Sequence, residues 1–368
     1  MKIVSKLLAC SVGFFAATQL HAVTNVLSDP VGFFKVPIAT NANWLSAPMQ
    51  PLATYRGTVL SVSGTNITFA GTPNFTVNQF NRVTNGALRL IQYMVIVRND
   101  LHKNSTIPTG VATNDITGDW WKIIETPDSA TIAVDPGFDT LSTALEAGDT
   151  LEIRKLVSLA DLFGPPDSTS VLAGTAGNTD NGTGDNVKVV VGLSFIRTIV
   201  RNSTLSRYAA GLQNFSNGTT YTFEPDETFV YQRVAPAGPT NFTSLGQVPT
   251  TRITHYFDGS PSGVTPNPFG THYPANQTYI TSGMKEMIQL AGASSTDNVF
   301  QDTGVEDGIK EAVGLSFIRS VCLNGSGVFK AGLLTMDNTN IFPGQAYVYY
   351  VKTATGGRVW RQPLPYTP

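Results

Sequence analysis

Along most of this chain the apolar positions alternate with polar ones, a period of two. That pattern marks half-buried strands. Thr58 to Val62, the turn Ser63-Gly64-Thr65-Asn66 and Ile67 to Ala70 predict a hairpin. Leu88 to Arg98 predicts one long apolar strand, and Trp120 to Glu125, Ala130 to Val134 and Thr150 to Ile153 predict three more. Gly148-Asp149 supplies the turn before the last of these. The enrichment in β-branched and aromatic residues favours strands over helices. Helical spacing is confined to Leu156 to Phe163, stopped by Gly164-Pro165-Pro166, and to Gly283 to Ala291.

The pattern also repeats. Val191-Gly192-Leu193-Ser194-Phe195-Ile196-Arg197 recurs unchanged as Val313-Gly314-Leu315-Ser316-Phe317-Ile318-Arg319. Around it, Leu172-Ala173-Gly174 recurs as Leu290-Ala291-Gly292, Asp185 and Lys188 as Asp307 and Lys310, and Ala210-Gly211-Leu212 as Ala331-Gly332-Leu333. The anchors keep their order, so the block is duplicated and predicts two similar units. Each reads as an Asp/Asn/Gly loop, a long strand (Val187 to Val200 or Ile309 to Val321), a turn and an aromatic strand. In the first long strand Leu193, Phe195 and Arg197 share one face, and Ser194, Ile196 and Thr198 the other. Identical strand cores predict equivalent placement, with Leu and Phe buried. Ala235 to Asn276, rich in Pro, Gly and Thr, reads as a surface loop or small hairpin between the units.

The expected fold is all-β with few short helices, in two or three sandwich-like or barrel-like units. The division is a signal peptide at 1–22, an N-terminal β domain at 23–155, a first repeat unit at 156–235, an insertion at 236–280, and a second repeat unit with a C-terminal strand at 281–368.

Composition and charge narrow the setting. Lys2 and Lys6, the apolar run Leu7 to Ala17 and the small residue Ala22 have the order of an export signal, too short to span a bilayer. Without those two lysines the chain carries 22 basic and 26 acidic residues, a net charge of −4, which argues against nucleic acid as a partner. No apolar stretch reaches the ~20 residues of a transmembrane helix. A β-barrel of the outer membrane gives too weak a sequence signal to be judged in this way. Of the two cysteines, Cys10 lies in the export signal, so Cys322 has no mate for an intramolecular disulfide; it reads as a small core residue.

Ser28-Asp29-Pro30-Val31-Gly32-Phe33, Leu45-Ser46-Ala47-Pro48, Tyr55-Arg56-Gly57, Gly118-Asp119-Trp120-Trp121-Lys122-Ile123 and Ser158-Leu159-Ala160-Asp161-Leu162-Phe163-Gly164 stand in this order. In these marks the chain resembles an uncharacterised family of secreted proteins expanded as paralogues in verrucomicrobial bacteria. The resemblance implies export and membership of a large paralogue set. It brings no activity and no catalytic residue.

Candidate chemistry is sparse. There is no Gly-x-Ser-x-Gly elbow and no phosphate-binding glycine loop. Of the three histidines beyond the export signal, His102, His255 and His272, the last two sit in matching Thr-His-Tyr triplets and with Asp258 offer transition-metal ligands. Their spacing fits no standard pattern, and two similar hairpin arms account for it equally. The loops before the repeated strands carry Asp180, Asp185, Asp297 and Asp307, hard oxygen ligands of the kind Ca²⁺ takes; Asp, Asn and Gly also dominate ordinary turns. Trp44, Trp120, Trp121 and Trp360 are either core residues or carbohydrate-stacking platforms. Trp120 and Trp121 point to opposite faces of one strand, so only one can be core if the sheet has a wet face. The expected function is that of a secreted or cell-surface, non-enzymatic structural, adhesion or assembly protein, acting in the cell envelope or outside it. Its partners would be surface glycans or other envelope proteins. The alternatives are a carbohydrate-binding or glycan-processing protein, and an outer-membrane barrel.

Overall fold

A computed structural model describes residues 30–85, 88–100, 115–137, 141–167, 170–215, 221–225, 227–234, 241–260, 263–294, 306–352 and 357–366. The expected export signal Met1–Ala22 lies outside them, as do His102 and Asp297. Strands dominate and the helices are short, as the alternating pattern predicts.

Six strands close a barrel: Ala53–Ser63, Asn66–Phe69, Tyr93–Asn99, Trp120–Glu125, Thr131–Asp135 and Thr150–Lys155. Strand alternation sends Leu151 and Ile153 inward to meet Ile67, Phe69, Val95, Trp121 and Val134 in one apolar core. Glu152 and Arg154 point to the other face. An apolar interior and charged outer positions are the inverse of a membrane-spanning barrel, so this barrel is a packed core.

Two further sheets carry the duplication. In the first unit the strand order is Gln213–Phe215, Arg207–Ala210, Ser194–Asn202, Asn186–Val191, Phe229–Arg233, Asn41–Leu45. In the second it is Leu334–Thr335, Phe329–Ala331, Ser316–Leu323, Gly308–Val313, Ala346–Val351, Thr265–Gly270. Each unit adds a long two-stranded ribbon, Val31–Pro37 with Asn241–Gln247 or Ile253–Phe257 with Arg358–Gln362. Each also adds a short ribbon, Val157–Ser158 with Thr222–Phe223 or Gln277–Thr278 with Asn340–Ile341. One short helix follows in each, Leu159–Phe163 or Met284–Leu290. Each unit has its own core. A third cluster, with Trp44, Val190, Val230, Ala346, Val348 and Tyr350, joins the two sheets.

The repeat is therefore larger than the sequence block. Asn43 and Asn267 occupy matching registers opposite Tyr231 and Tyr349. Both side chains bond back to the backbone just after the preceding strand: Asn43 accepts from Ala39 N at 2.9 Å, and Asn267 from Asp258 N at 2.7 Å. The first unit begins at Val31, and the barrel is inserted between its strands Asn41–Leu45 and Val157–Ser158. The stretch expected to be a loop or small hairpin carries Asn241–Gln247, which closes the first unit, and Ile253–Phe257 and Thr265–Gly270, which open the second.

Three local expectations are corrected. Leu88 to Arg98 breaks at Ile91-Gln92, whose carbonyls bond Thr222 Oγ1 and Leu156 N instead of a sheet neighbour. The predicted helix from Leu156 starts only at Leu159. Ser158 is its N-cap, accepting from Asp161 N at 3.1 Å, while Asp161 Oδ2 accepts from Ser158 N at 2.8 Å. The long repeated strands are hairpins. Gly192-Leu193 and Gly314-Leu315 are two-residue turns in which glycine at φ 60° and 63° takes the first central place, as type II′ turns require.

Candidate functional site

The duplicated heptapeptide thus forms the tips of two arms, residues 188–197 and 310–319. Each arm starts in Lys, ends in Arg and carries a bulge at its base, between Val189 and Val190 or between Glu311 and Ala312. Beyond the bulges the arms extend past the strands beside them. Ser194–Asn202 pairs with its outer neighbour only from Val200 onward, and Ser316–Leu323 only from Cys322. Both arm faces therefore meet solvent. Leu193 and Leu315 are 49% and 61% exposed, Phe195 and Phe317 41% and 38%. Val191, Ile196, Val313 and Ile318 are exposed as well. Equivalent placement is as expected; burial of these Leu and Phe side chains is not, because each arm outruns the sheet that would cover it. The Gly211-Leu212 and Gly332-Leu333 turns repeat the device, with leucines 99% and 84% exposed.

Trp44 lies between the arms. Its ring centroid is 6.5 Å from Phe195 and 6.2 Å from Phe317, and Nε1 donates to Gly314 O at 2.9 Å. Behind each phenylalanine stands a lysine: Lys188 Nζ is 5.2 Å from the Phe195 ring and Lys310 Nζ 5.6 Å from that of Phe317. Beside the first arm runs a cleft of about 390 Å³, walled by Val190, Gly192, Arg197, Tyr221, Glu227 and Tyr256 among others. Two of its carboxylates are engaged: Tyr221 donates to Glu227 at 2.8 Å, and Glu224 pairs with Lys122 at 2.7 Å.

The acidic loops meet protein donors. Asp185 is fully buried and accepts from Ala173 N (3.1 Å), Tyr231 OH (2.7 Å) and Val234 N (3.0 Å). Asp307, also fully buried, accepts from Tyr349 OH (2.7 Å), Lys352 N (2.8 Å) and Arg358 Nε (2.9 Å). Asp180 closes an Asx turn onto Gly182 N at 3.0 Å and takes Asn186 Nδ2 at 3.0 Å. Through these contacts Asp185 and Asp307 tie each strand entry to the neighbouring aromatic strand. Chelation with EDTA is expected to leave the melting temperature unchanged; a fall that Asp185→Ala with Asp307→Ala abolishes would instead identify a calcium site. Among the described residues no three His, Cys, Asp or Glu side chains converge as a metal site.

The histidines form a buried stack. The His255 ring lies 4.5 Å from His272 and 4.4 Å from Trp360, and its Nε2 is 3.4 Å from Gln362 Oε1. Burial pushes the pKa of His255 down to about 3 and lowers that of His272, which also feels His255. The tryptophans are all buried. Trp121 faces the barrel interior, and Trp120 is covered by the second unit through Ile253 and Tyr256, so both are core. None is a carbohydrate platform.

One charged centre left little trace in the sequence. The buried carboxylate of Glu152 meets Arg56 (2.5 Å), Arg98 (3.3 Å) and Arg154 (2.6 Å). Charges at alternate positions of an otherwise apolar strand were its only trace. Compared with protein-family models, curated proteins and solved structures, the chain matches none.

Proposed function

We propose that this is a secreted or cell-surface protein with a non-enzymatic structural, adhesive or assembly role, and that the paired arms are its working surface. The observation that carries the reading is the duplicated set of exposed Val, Leu, Phe and Ile at the arm tips. Contiguous exposed apolar side chains mark interaction sites more often than chance surface exposure. Their presence twice, in the same geometry, makes the case stronger. The order of residues at the N-terminus and the resemblance to secreted verrucomicrobial proteins support export.

Cell fractionation tests the reading. The protein is expected in the envelope or surface fraction, and Leu193→Asp with Leu315→Asp should release it to the medium. Identical distribution of the two forms would refute a role for the arms.

A second reading, carbohydrate binding, draws on the cleft beside the first arm, where the half-buried Tyr256 lines the wall with Asn267 and Asp258. Glycan-array binding abolished by Tyr256→Ala would support it.

A further inference from the structure

Resting on the reading of the arms as the working surface, we infer that their partner is an anionic lipid bilayer, into which both tips insert. Three features of the arms favour lipid over a protein face. First, apolar side chains occupy both faces of each arm, Phe195 on one and Ile196 on the other, with the equivalent Phe317 and Ile318. A folded partner covers one face, whereas an acyl layer surrounds both. Second, the polarity follows depth. Leu193 and Leu315 stand at the tips, the Phe side chains one step behind, and Trp44 between them. Lys188, Arg197, Lys310 and Arg319 end the arms. Lys and Arg set behind an apolar tip, with aromatic rings between, match the headgroup level of an interface. From bulge to turn each arm spans about 10 Å at ~3.3 Å per residue, the depth interfacial segments reach. Third, charge is complementary. The arms hold those four cations against one carboxylate, Glu311, which lies 3.3 Å from Arg319, in a chain whose formal net charge is −2. Cations so placed attract anionic headgroups.

The test is flotation of the purified full chain with vesicles of phosphatidylcholine alone or mixed with phosphatidylglycerol. Binding is expected to the mixed vesicles, falling with added salt. Lys188→Gln with Lys310→Gln should weaken it about thirtyfold. Leu193→Asp with Leu315→Asp should weaken it about a hundredfold or more. All four side chains are exposed or half-buried, so melting temperatures should match the parent, and the lysine pair remains informative if the leucine pair fails to fold. Quenching of Trp44 fluorescence by brominated lipid, lost in Trp44→Phe, is the second expected readout. Absence of flotation with either vesicle overturns the inference. Leucine-dependent self-association without flotation also overturns it, while leaving the assembly role intact; absence of both vesicle binding and envelope retention in the parent protein sinks the two together.

Discussion

Asp307→Ala is expected to destabilise the protein by about 3–5 kcal/mol, the cost of stranding a buried cation. Arg358 is 7% exposed and its Nε lies 2.9 Å from the Asp307 carboxylate. Removing the carboxylate leaves the guanidinium without that ion-pair partner in the interior, and takes an acceptor from Tyr349 OH and Lys352 N as well. Asp185 holds the matching place in the first unit, where it meets Tyr231 OH and two backbone amides, all uncharged donors. Asp185→Ala should therefore cost less, about 2–3 kcal/mol. Urea denaturation of both variants measures the ranking. Equal losses, or a loss below 1 kcal/mol at Asp307, would show that the buried ion pair does not hold the second unit together.

The second large effect is loss of stability in mild acid. His255 is neutral in the fold and its pKa is depressed to about 3 from an ordinary 6.5. The unfolded chain therefore binds a proton that the folded chain refuses throughout the interval between those values. Stability is complete above pH 6.5 and declines as pH falls toward 3, by about 1.4 kcal/mol per unit, or roughly 3 kcal/mol at pH 4.5. His272, lowered by burial and by its neighbour, acts in the same direction. Urea midpoints at pH 7.5 and 4.5 should diverge more for the parent than for His255→Phe, which keeps a ring against Trp360 and cannot be protonated. Carboxylate protonation affects both proteins alike, so an unchanged pH dependence in the variant would remove His255 from the explanation.

How far the structure was legible depended on whether the forces involved were local. Hairpins and amphipathic strands are local, and Trp120–Glu125 and the hairpin before Phe69 follow from period and turn residues. Leu88 to Arg98 looked continuous because nothing near it announces that Leu156 and Thr222 will claim the carbonyls at its centre. The heptapeptide reads as one strand because Leu follows Gly where Asn, Asp or Ser is the usual turn residue. Its identity in the two copies was visible, while its exposure depended on how far the neighbouring strands run. The equivalence of Asn43 and Asn267 is hidden in the sequence because the barrel separates Asn43 from the rest of its unit. The equivalence of Asp185 and Asp307 is visible in the duplication, but only the fold reveals the tyrosine hydroxyls and amides that meet them.

The insertion of the barrel also sets an order of assembly. Ala53 and Arg154 are neighbours across the strand pair that begins and ends the barrel, so this module closes from contiguous chain. The second unit is likewise contiguous from Ile253 to Gln362. The first unit is not: Leu45 must wait for Phe229, and Val31 for Gln247. Closing such long loops is entropically costly and slow. In a chain that emerges N-terminus first, Val31–Pro37 and Asn41–Leu45 remain unpaired edges until about two hundred further residues have been delivered, and edges of that kind invite aggregation. The barrel, already folded, holds Ala53 beside Arg154 and shortens the effective loop, so the module that interrupts the first unit also acts as the clamp that lets it close.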